Sequence, residues 1–599
     1  MPKTTTKTDQ PQELVFDLET NGFPRQGLSR IHCLVIRGTT EADALRFNDQ
    51  GAARPITEGI NLLEGADLII GHNIVGFDVP VIQQIYWSDF TPARCIDTLI
   101  LSRLFFPDII KLDFQKRFRG MPKQLYGRHS LEAWGYRLHD LKGDFGKSSD
   151  WQEWSREMED YCVQDVHVTH SLYSLFKKKG YLSKYAQAIE IEHRTAQWMA
   201  KQEAHGIAFD EKAAVELEGT LRQELADLSA EMTAAFPYVP GRAMTPARNN
   251  QTLGYIKGAE LVKLTDFNPT SRDHIAWAFQ NWRDWEPIEF TETGKPKIDE
   301  TVLQQYGTQE ALTFARLLKL QKMLGQLSEG KNSWLKLVHQ GRIHHACMLN
   351  TNTGRNAHMR PNLAQVSSDP RCRALFVPSQ GKVIVGADAS GLELRMLGHY
   401  LSFYDDGRFI DIVVNGDIHQ TNADGVGVTR TQVKTITYAF IYGAGDEKLG
   451  KTYDVTLKGK QAKAKGKELR RAFTAAIPGL EPLLRDVAAR GDVLRGLDGR
   501  PIKLQGKNHA ALNYLLQSAG AIVCKHWVYN TYDTLTNIGI PFDPLLFVHD
   551  ELELETDPEH VEKVERIITE EIILTGQILG VKCPLASEAK HGASWADVH

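Results

Sequence analysis

The sequence predicts a multidomain chain in which an α/β unit, a mostly helical segment and an α+β unit follow one another. Three observations carry this. Short runs of strand formers alternate with helical patterns over residues 13–182. The middle third is periodic at helical spacing. From residue 340 a buried-strand pattern, several helices and a hairpin succeed each other.

Taken in order, residues 14–18 (LVFDL), 31–36 and 67–71 (DLIIG) read as strands, with helical patterns at 79–86 and 97–105. A helix over 185–203 places Ile189, Trp198 and Met199 inside, and 211–235 is another. Residues 237–258, rich in Pro, Gly and Asn, read as an extended loop. Helices resume at 271 and again over 309–327. Residues 382–387 (KVIVGA) are a buried strand followed by a helix; 431–440 and 513–535 are helical, and 447–475 is one strongly basic helical stretch. Residues 544–554 form a hairpin with His549 and Asp550 at its turn, and the last helix spans 558–579.

With 599 residues there is chain for several domains at roughly 100–200 residues each. A formal net charge of −5 excludes a globally basic nucleic-acid binder, so any such affinity must come from local patches. Hydrophobic residues at 42% and charged residues at 24% exclude disorder, collagen and coiled coil as the dominant state. Cys33, Cys95, Cys162, Cys347, Cys372, Cys524 and Cys583 are scattered without a CxxC pair, which predicts a reducing compartment and no structural zinc. Residues 1–12 read as a polar, flexible tail without the apolar core of an export signal, and no apolar run is long enough to span a membrane.

Asp17 and Glu19 lie two apart on a strand, so alternation puts both carboxylates on one face. They repel unless a cation lies between them, yet a solvated strand face would show the same pair. Asp78 opens a helix, where capping is an equally plain reading. Tyr161 and Asp165 share a helix face at i, i+4. In this order within one α/β domain, these residues resemble the DEDDy-type 3′→5′ exonucleases. That resemblance implies an RNase H-like fold in which Asp17, Glu19, Asp78 and Asp165 hold two Mg²⁺ ions and Tyr161 orients the attacking water. The stretch 130–138 (SLEAWGYRL) adds a further family-like match and reads as scaffold.

Asp388 ends a strand within GADASGLELR, and Asp550 sits in VHDEL. Alone, each has a bland reading, an N-cap and an exposed turn. Between them, Arg430, Lys434, Tyr438 and Tyr442 recur every four residues and form one helical stripe. Two cations followed by two aromatics suit a nucleotide, the cations meeting phosphates and the rings meeting base and sugar.

With DASGLELR, KTITYAFIYGAG and VHDEL in this order, the chain resembles the family A (DNA polymerase I-like) polymerases, most of all the replicative enzymes of short-tailed phages. The resemblance implies a right-hand architecture: exonuclease at 13–182, thumb at 183–340 with a short loop insertion about 237–266, palm at 341–400 and 513–599, and fingers at 401–512. It implies template-directed DNA synthesis with proofreading. Asp388, Asp550 and the Ala389 carbonyl would bind two Mg²⁺, with Mn²⁺ able to substitute. Arg430, Lys434 and His419 would bind the triphosphate, and Tyr442 would stack near the templating position. Glu393 would exclude a 2′-hydroxyl. Tyr438 stands where the family carries Tyr or Phe, and Tyr accompanies tolerance of dideoxynucleotides. Arg355, Asn513 and Gln517 would read the minor groove, with His549 and Glu551 beside the primer terminus.

Two basic stretches add phosphate-binding potential: 448–471, with nine Lys/Arg against Asp454 and Glu468, and 111–128, with six against Asp113. Implied partners are primer-template DNA, dNTPs, a phage helicase-primase and a single-stranded DNA-binding protein, in the cytoplasm of an infected bacterium. The phage enzymes' long thumb insertion binds host thioredoxin; the 30 residues between Phe236 and Phe267 are too few to carry that partnership over. Three rival readings are an exonuclease with a decayed polymerase site, a single-subunit RNA polymerase and a non-enzymatic DNA-binding module. The full acidic sets, the cationic stripe and Glu393 argue against them.

Overall fold

Parity along the first strand sets up the N-terminal unit. In the computed structural model, residues 12–599 are described apart from 25–26, 87–94, 142–150, 288, 292, 455–456 and 458, and apart from the side chains of 419, 421, 425 and 431; the tail expected over 1–12 thus lies almost wholly outside the described residues. Glu13–Thr20 turns Leu14, Phe16 and Leu18 toward helix Ile56–Gly65, and Val15 toward Cys162 and Val166 of helix Arg156–Lys178. Asp17 and Glu19 share the Val15 parity, so they point toward the helix that carries Tyr161 and Asp165.

The sheet order is Leu45–Phe47, Ile31–Gly38, Glu13–Thr20, Leu68–Gly71, Cys95–Asp97. Glu13–Thr20 is antiparallel to Ile31–Gly38 and parallel to Leu68–Gly71. Leu45–Phe47 and Cys95–Asp97 were not legible in the sequence, because three residues are too few to show a period.

Helices Ala186–His205, Glu211–Ala235, Arg272–Trp282 and Gln309–Leu324 form most of the middle third. The expected loop over 237–258 is corrected: Tyr238–Met244 is a strand paired antiparallel with Leu261–Asp266. The Pro and Gly residues mark an irregularity in register between Pro240 and Ala243 rather than a lack of pairing.

The last third is built on a four-stranded antiparallel sheet in the order Phe542–Val548, Glu551–Thr556, Val383–Ala389, Ser587–Gly592. Pro544 stands at a register shift, where its missing N–H costs no ladder bond. The edge strand Ser587–Gly592 (SEAKHG) is polar and partly solvated, which hid it from periodicity. Helix Ala511–Asn537 is buried on nearly all sides and packs on Val561–Ile578, with the Trp527 Nε1 donating to the Ile568 carbonyl at 2.8 Å.

The single basic helix expected over 447–475 is also corrected. It divides into Asp446–Tyr453 and Gly459–Ala476, which fold back on each other. Contact is backbone to backbone: a Cβ at Gly466 would stand 1.6 Å from the Asp446 carbonyl oxygen.

A buried charge knot ties the chain together. Glu192, from the helix leaving the N-terminal unit, accepts from Arg500 at 2.6 Å and from Lys525 at 2.7 Å, while Arg500 also pairs with Asp498 at 2.5 Å. Arg500 adjoins the hairpin of Val493–Arg495 and Pro501–Lys503, and Lys525 lies in the central helix.

Candidate active sites

The N-terminal cleft, about 700 Å³, is lined by Asp17, Glu19, Asp78, Tyr161 and Asp165 together. Asp17, Glu19 and Cys162 offer ligand atoms within 4.8 Å of one another. The Cys162 thiol donates to the Asp17 carbonyl at 3.4 Å. Burial first, with Cys33 beside it, pushes that thiol well above its ordinary range, so it stays protonated and the carboxylates remain the donors. Burial pushes Asp78 up to about 8, with repulsion from Asp97 and Asp165 added and the Leu18 amide opposing. Acids crowded this way are costly without a cation, and their hard oxygens fit a divalent one. The Tyr161 ring meets Trp151 edge-on at 6.3 Å.

Asp97 escaped the sequence reading. Its buried carboxylate accepts from the amides of Asn73 at 2.8 Å, Val75 at 3.1 Å and Leu99 at 2.9 Å, and so shapes the loop that delivers Asp78. Its position just before a helical Thr-Leu-Ile-Leu run resembles an ordinary N-cap, which it also is. Trp151, Arg103 and His129, also on the cleft wall, carried no sequence signal.

The second site forms where two strands end. Asp388 is the penultimate residue of Val383–Ala389, and Asp550 directly precedes Glu551–Thr556. Asp388 pairs in register with Glu551, and the Ala389 amide donates to the Asp550 carbonyl at 2.9 Å. His549 holds a left-handed φ of 58° at the turn, a backbone cost typical of functional positions. Desolvation, then Asp550 and Glu551, push the Asp388 carboxyl up to about 7; desolvation, then Glu393, push Asp550 up to about 6. This is a second oxygen-rich cluster whose repulsion a divalent cation relieves.

Helix Arg430–Ile441 starts with a capping box at Thr429 and Gln432, which fixes where the stripe begins. Its lower end faces the carboxylates. The Tyr438 and Tyr442 rings stack at 6.4 Å, and the Tyr442 hydroxyl donates to Glu393 Oε1 at 3.4 Å. Arg355 approaches the same oxygen at 3.4 Å. Burial, then Glu393, raises both tyrosine hydroxyls, and Asp550 adds to the effect on Tyr438. Lys434 is exposed and makes no ion pair among the described residues. Arg430 rests against Asp417 at 2.8 Å. His419 belongs to helix Ile418–Val426, with its side chain outside the described residues.

Asn513 and Gln517 are the half-buried pair in the otherwise buried first turns of Ala511–Asn537, one turn apart on the same helix face. Asn513 Oδ1 is buried and finds no donor among the described residues. Glu551 is turned toward the C-terminal segment, accepting from Trp595 Nε1 at 2.8 Å and His599 Nδ1 at 2.7 Å. Sequence motifs gave no sign of that anchorage. Lys503 pairs with Asp108 at 2.7 Å and Lys111 donates to the Gln505 carbonyl at 3.1 Å, so Lys111 of the 111–128 basic patch serves as an internal contact.

Residues 251–597 match the model of DNA polymerase family A. The chain is 32% identical to the DNA-directed DNA polymerase of Enterobacteria phage T3, over 98% of this chain and 100% of that one, and equally so to that of Escherichia phage T7. Its fold is similar, with a TM-score of 0.72, to the POL domain of Pol1 from M. smegmatis in complex with DNA primer-template and dNTP, at 17% identity over 98% of this chain and 96% of that one. No described helix is long and apolar enough to cross a membrane. On the family match and the full-length phage relatives together, the chain belongs to DNA polymerase family A.

Proposed function

We propose that this chain is a replicative phage DNA polymerase, with synthesis at Asp388 and Asp550 and 3′→5′ trimming at Asp17, Glu19, Asp78 and Asp165. The observation that carries the reading is the facing of the Arg430–Lys434–Tyr438–Tyr442 stripe onto the Asp388–Asp550 cluster, through the Tyr442–Glu393 contact. The domain limits follow the same division: exonuclease 13–182, thumb 183–340, palm 341–400 and 513–599, fingers 401–512.

Asp388, Asp550 and the Ala389 carbonyl in one site, and the four exonuclease acids in the other, would each hold two Mg²⁺, which would supply activation of the nucleophile and charge stabilisation on the leaving oxygen. The remaining work is positioning. Arg430 leaves Asp417 for the triphosphate, an inexpensive exchange because an exposed pair is worth about 0–1 kcal/mol. Lys434 and His419 bind beside it, and Lys434 protonates the departing pyrophosphate. Tyr442 stacks near the template base, Tyr438 lines the sugar, and Glu393 blocks a 2′-hydroxyl. Arg355, Asn513 and Gln517 donate to minor-groove acceptors, while His549 and Glu551 support the primer terminus. Tyr161 orients the attacking water in the other cleft. Helicase-primase and single-stranded DNA-binding protein are the fitting partners in an infected host, without thioredoxin.

Primer extension in Mg²⁺ tests this: a labelled primer should lengthen with dNTPs and shorten from its 3′ end without them. A primer that does neither sinks the proposal.

A further inference from the structure

A third group of ligands lies between the two clefts. The hairpin of Ala346–Met348 and Ala357–Met359 carries Met348 on the wall of the exonuclease cleft, and its turn carries Arg355 toward Glu393. At its base Cys347 and His358 are cross-strand partners, and Cys347 Sγ lies 3.4 Å from His358 Nδ1. His345 stacks its ring on His358 at 5.7 Å. The three side chains bring ligand atoms within 4.8 Å of one another, with His345 only 1% and His358 only 6% exposed.

Two buried ring nitrogens here, His345 Nδ1 and His358 Nε2, find no hydrogen-bond partner among the described residues. His345 Nε2 faces the side-chain amide of Gln202 at 3.1 Å, and Gln202 Oε1 is itself buried and unpartnered. Turning that amide over lets Oε1 accept from His345 Nε2–H, which frees the Nδ1 lone pair for a ligand. Such outer support is the usual companion of a metal-bound histidine.

We propose that His345, Cys347 and His358 form a binding site for a borderline-soft divalent cation, Zn²⁺ above all, at the base of this hairpin. One thiolate and two imidazoles suit Zn²⁺ and disfavour Mg²⁺, so the site does not compete for the ions of either cleft. Zinc at ordinary bond lengths would separate a sulfur and a nitrogen ligand by about 3.6 Å, close to the spacing present. The Cys347 thiol gives its proton to solvent as the metal–sulfur bond forms. The ligands come from facing strands, which is why no CxxC-like spacing announces them. His358 also meets the His549 ring edge-on at 6.0 Å, one residue from Asp550, so the cation would stiffen the floor of the polymerase turn.

The test uses Co²⁺ as a spectroscopic probe on the full, reduced, metal-stripped chain. One Co²⁺ per chain, with water as its fourth ligand, should give a thiolate-to-cobalt charge-transfer band and intense tetrahedral d–d bands, both erased by Zn²⁺. The bands should persist in Asp17→Ala/Glu19→Ala and in Cys372→Ser, and vanish in Cys347→Ser and His358→Gln. X-ray absorption on the zinc-loaded wild-type chain should show one sulfur and two imidazole ligands, a readout independent of variant folding. Absence of a thiolate band in the wild type, its survival in Cys347→Ser, or a sulfur-free zinc shell overturns the proposal.

Discussion

The Ala389 amide donates to the Asp550 carbonyl at 2.9 Å, so backbone, not the two repelling carboxylates, joins the ends of their strands. Either carboxylate can therefore be removed without opening the junction. Asp388→Ala or Asp550→Ala should reduce primer extension to background while trimming of the 3′ end continues at the wild-type rate. Gel assays of both activities check this, and a folded variant that lost both would end the idea of two independent sites.

The converse variant, Asp17→Ala with Glu19→Ala, should stop trimming and leave synthesis intact. Primers with a 3′ mismatch would then be extended without first being shortened. Continued shortening would show that the cleft lined by Asp78 and Asp165 is not where hydrolysis occurs.

Glu393 is the shared acceptor of Tyr442 and Arg355. Glu393→Ala should raise ribonucleotide use relative to deoxynucleotide use by about 1–3 kcal/mol, roughly 10–200-fold, the range open to a size-based filter. Competition between rNTP and dNTP on one template measures it; unchanged selectivity removes the gate.

Tyr438 is half-buried, and its phenol is held protonated by burial and by Glu393. In the family A polymerases Tyr at this position accompanies tolerance of dideoxynucleotides, so these should terminate synthesis efficiently, and Tyr438→Phe should restore discrimination against them. Termination ladders at matched dNTP and ddNTP concentrations decide between the two outcomes.

The knot at Glu192 makes a pH prediction. Burial pushes this carboxyl up, but Lys525 and Arg500 outweigh it and hold it below its ordinary 4.5. A carboxyl depressed by folding contributes stability above the unfolded pKa, and that contribution is lost as pH falls through the folded value. Stability should drop on the acid side of 4.5, and Glu192→Gln should flatten that part of the profile. Glu192→Ala, which strands two buried cations, should cost about 3–5 kcal/mol at neutral pH. Chemical denaturation across the pH range reads both effects.

Much of the site was legible because its chemistry is local in sequence. Asp388 in a strand-to-helix step, Asp550 in a tight turn and four residues at helical spacing announce themselves. What stayed hidden depends on distant partners. Asp97 resembles an N-cap until three loop amides converge on it, and Glu551 resembles a turn acid until Trp595 and His599 arrive from the C-terminus. The three-residue strands and the polar edge strand Ser587–Gly592 fall below any period. The Pro and Gly residues of 237–258 hid a hairpin, because the same residues that break a loop also place a bulge.

Because Glu192 clamps both Arg500 and Lys525, the hairpin of Val493–Arg495 and Pro501–Lys503 should stay behind when helix Arg430–Ile441 moves. Any swing of Arg430–Ile441 must pivot upstream, where Gly443 at φ 74° and Gly479 at φ 80° already bend the backbone as few other residues could. Lys503 fastens Asp108 to that same immobile hairpin. With these ties holding, the two acidic clefts should keep their separation when that helix moves, so a primer end passing from one to the other would travel a path whose length closure does not change.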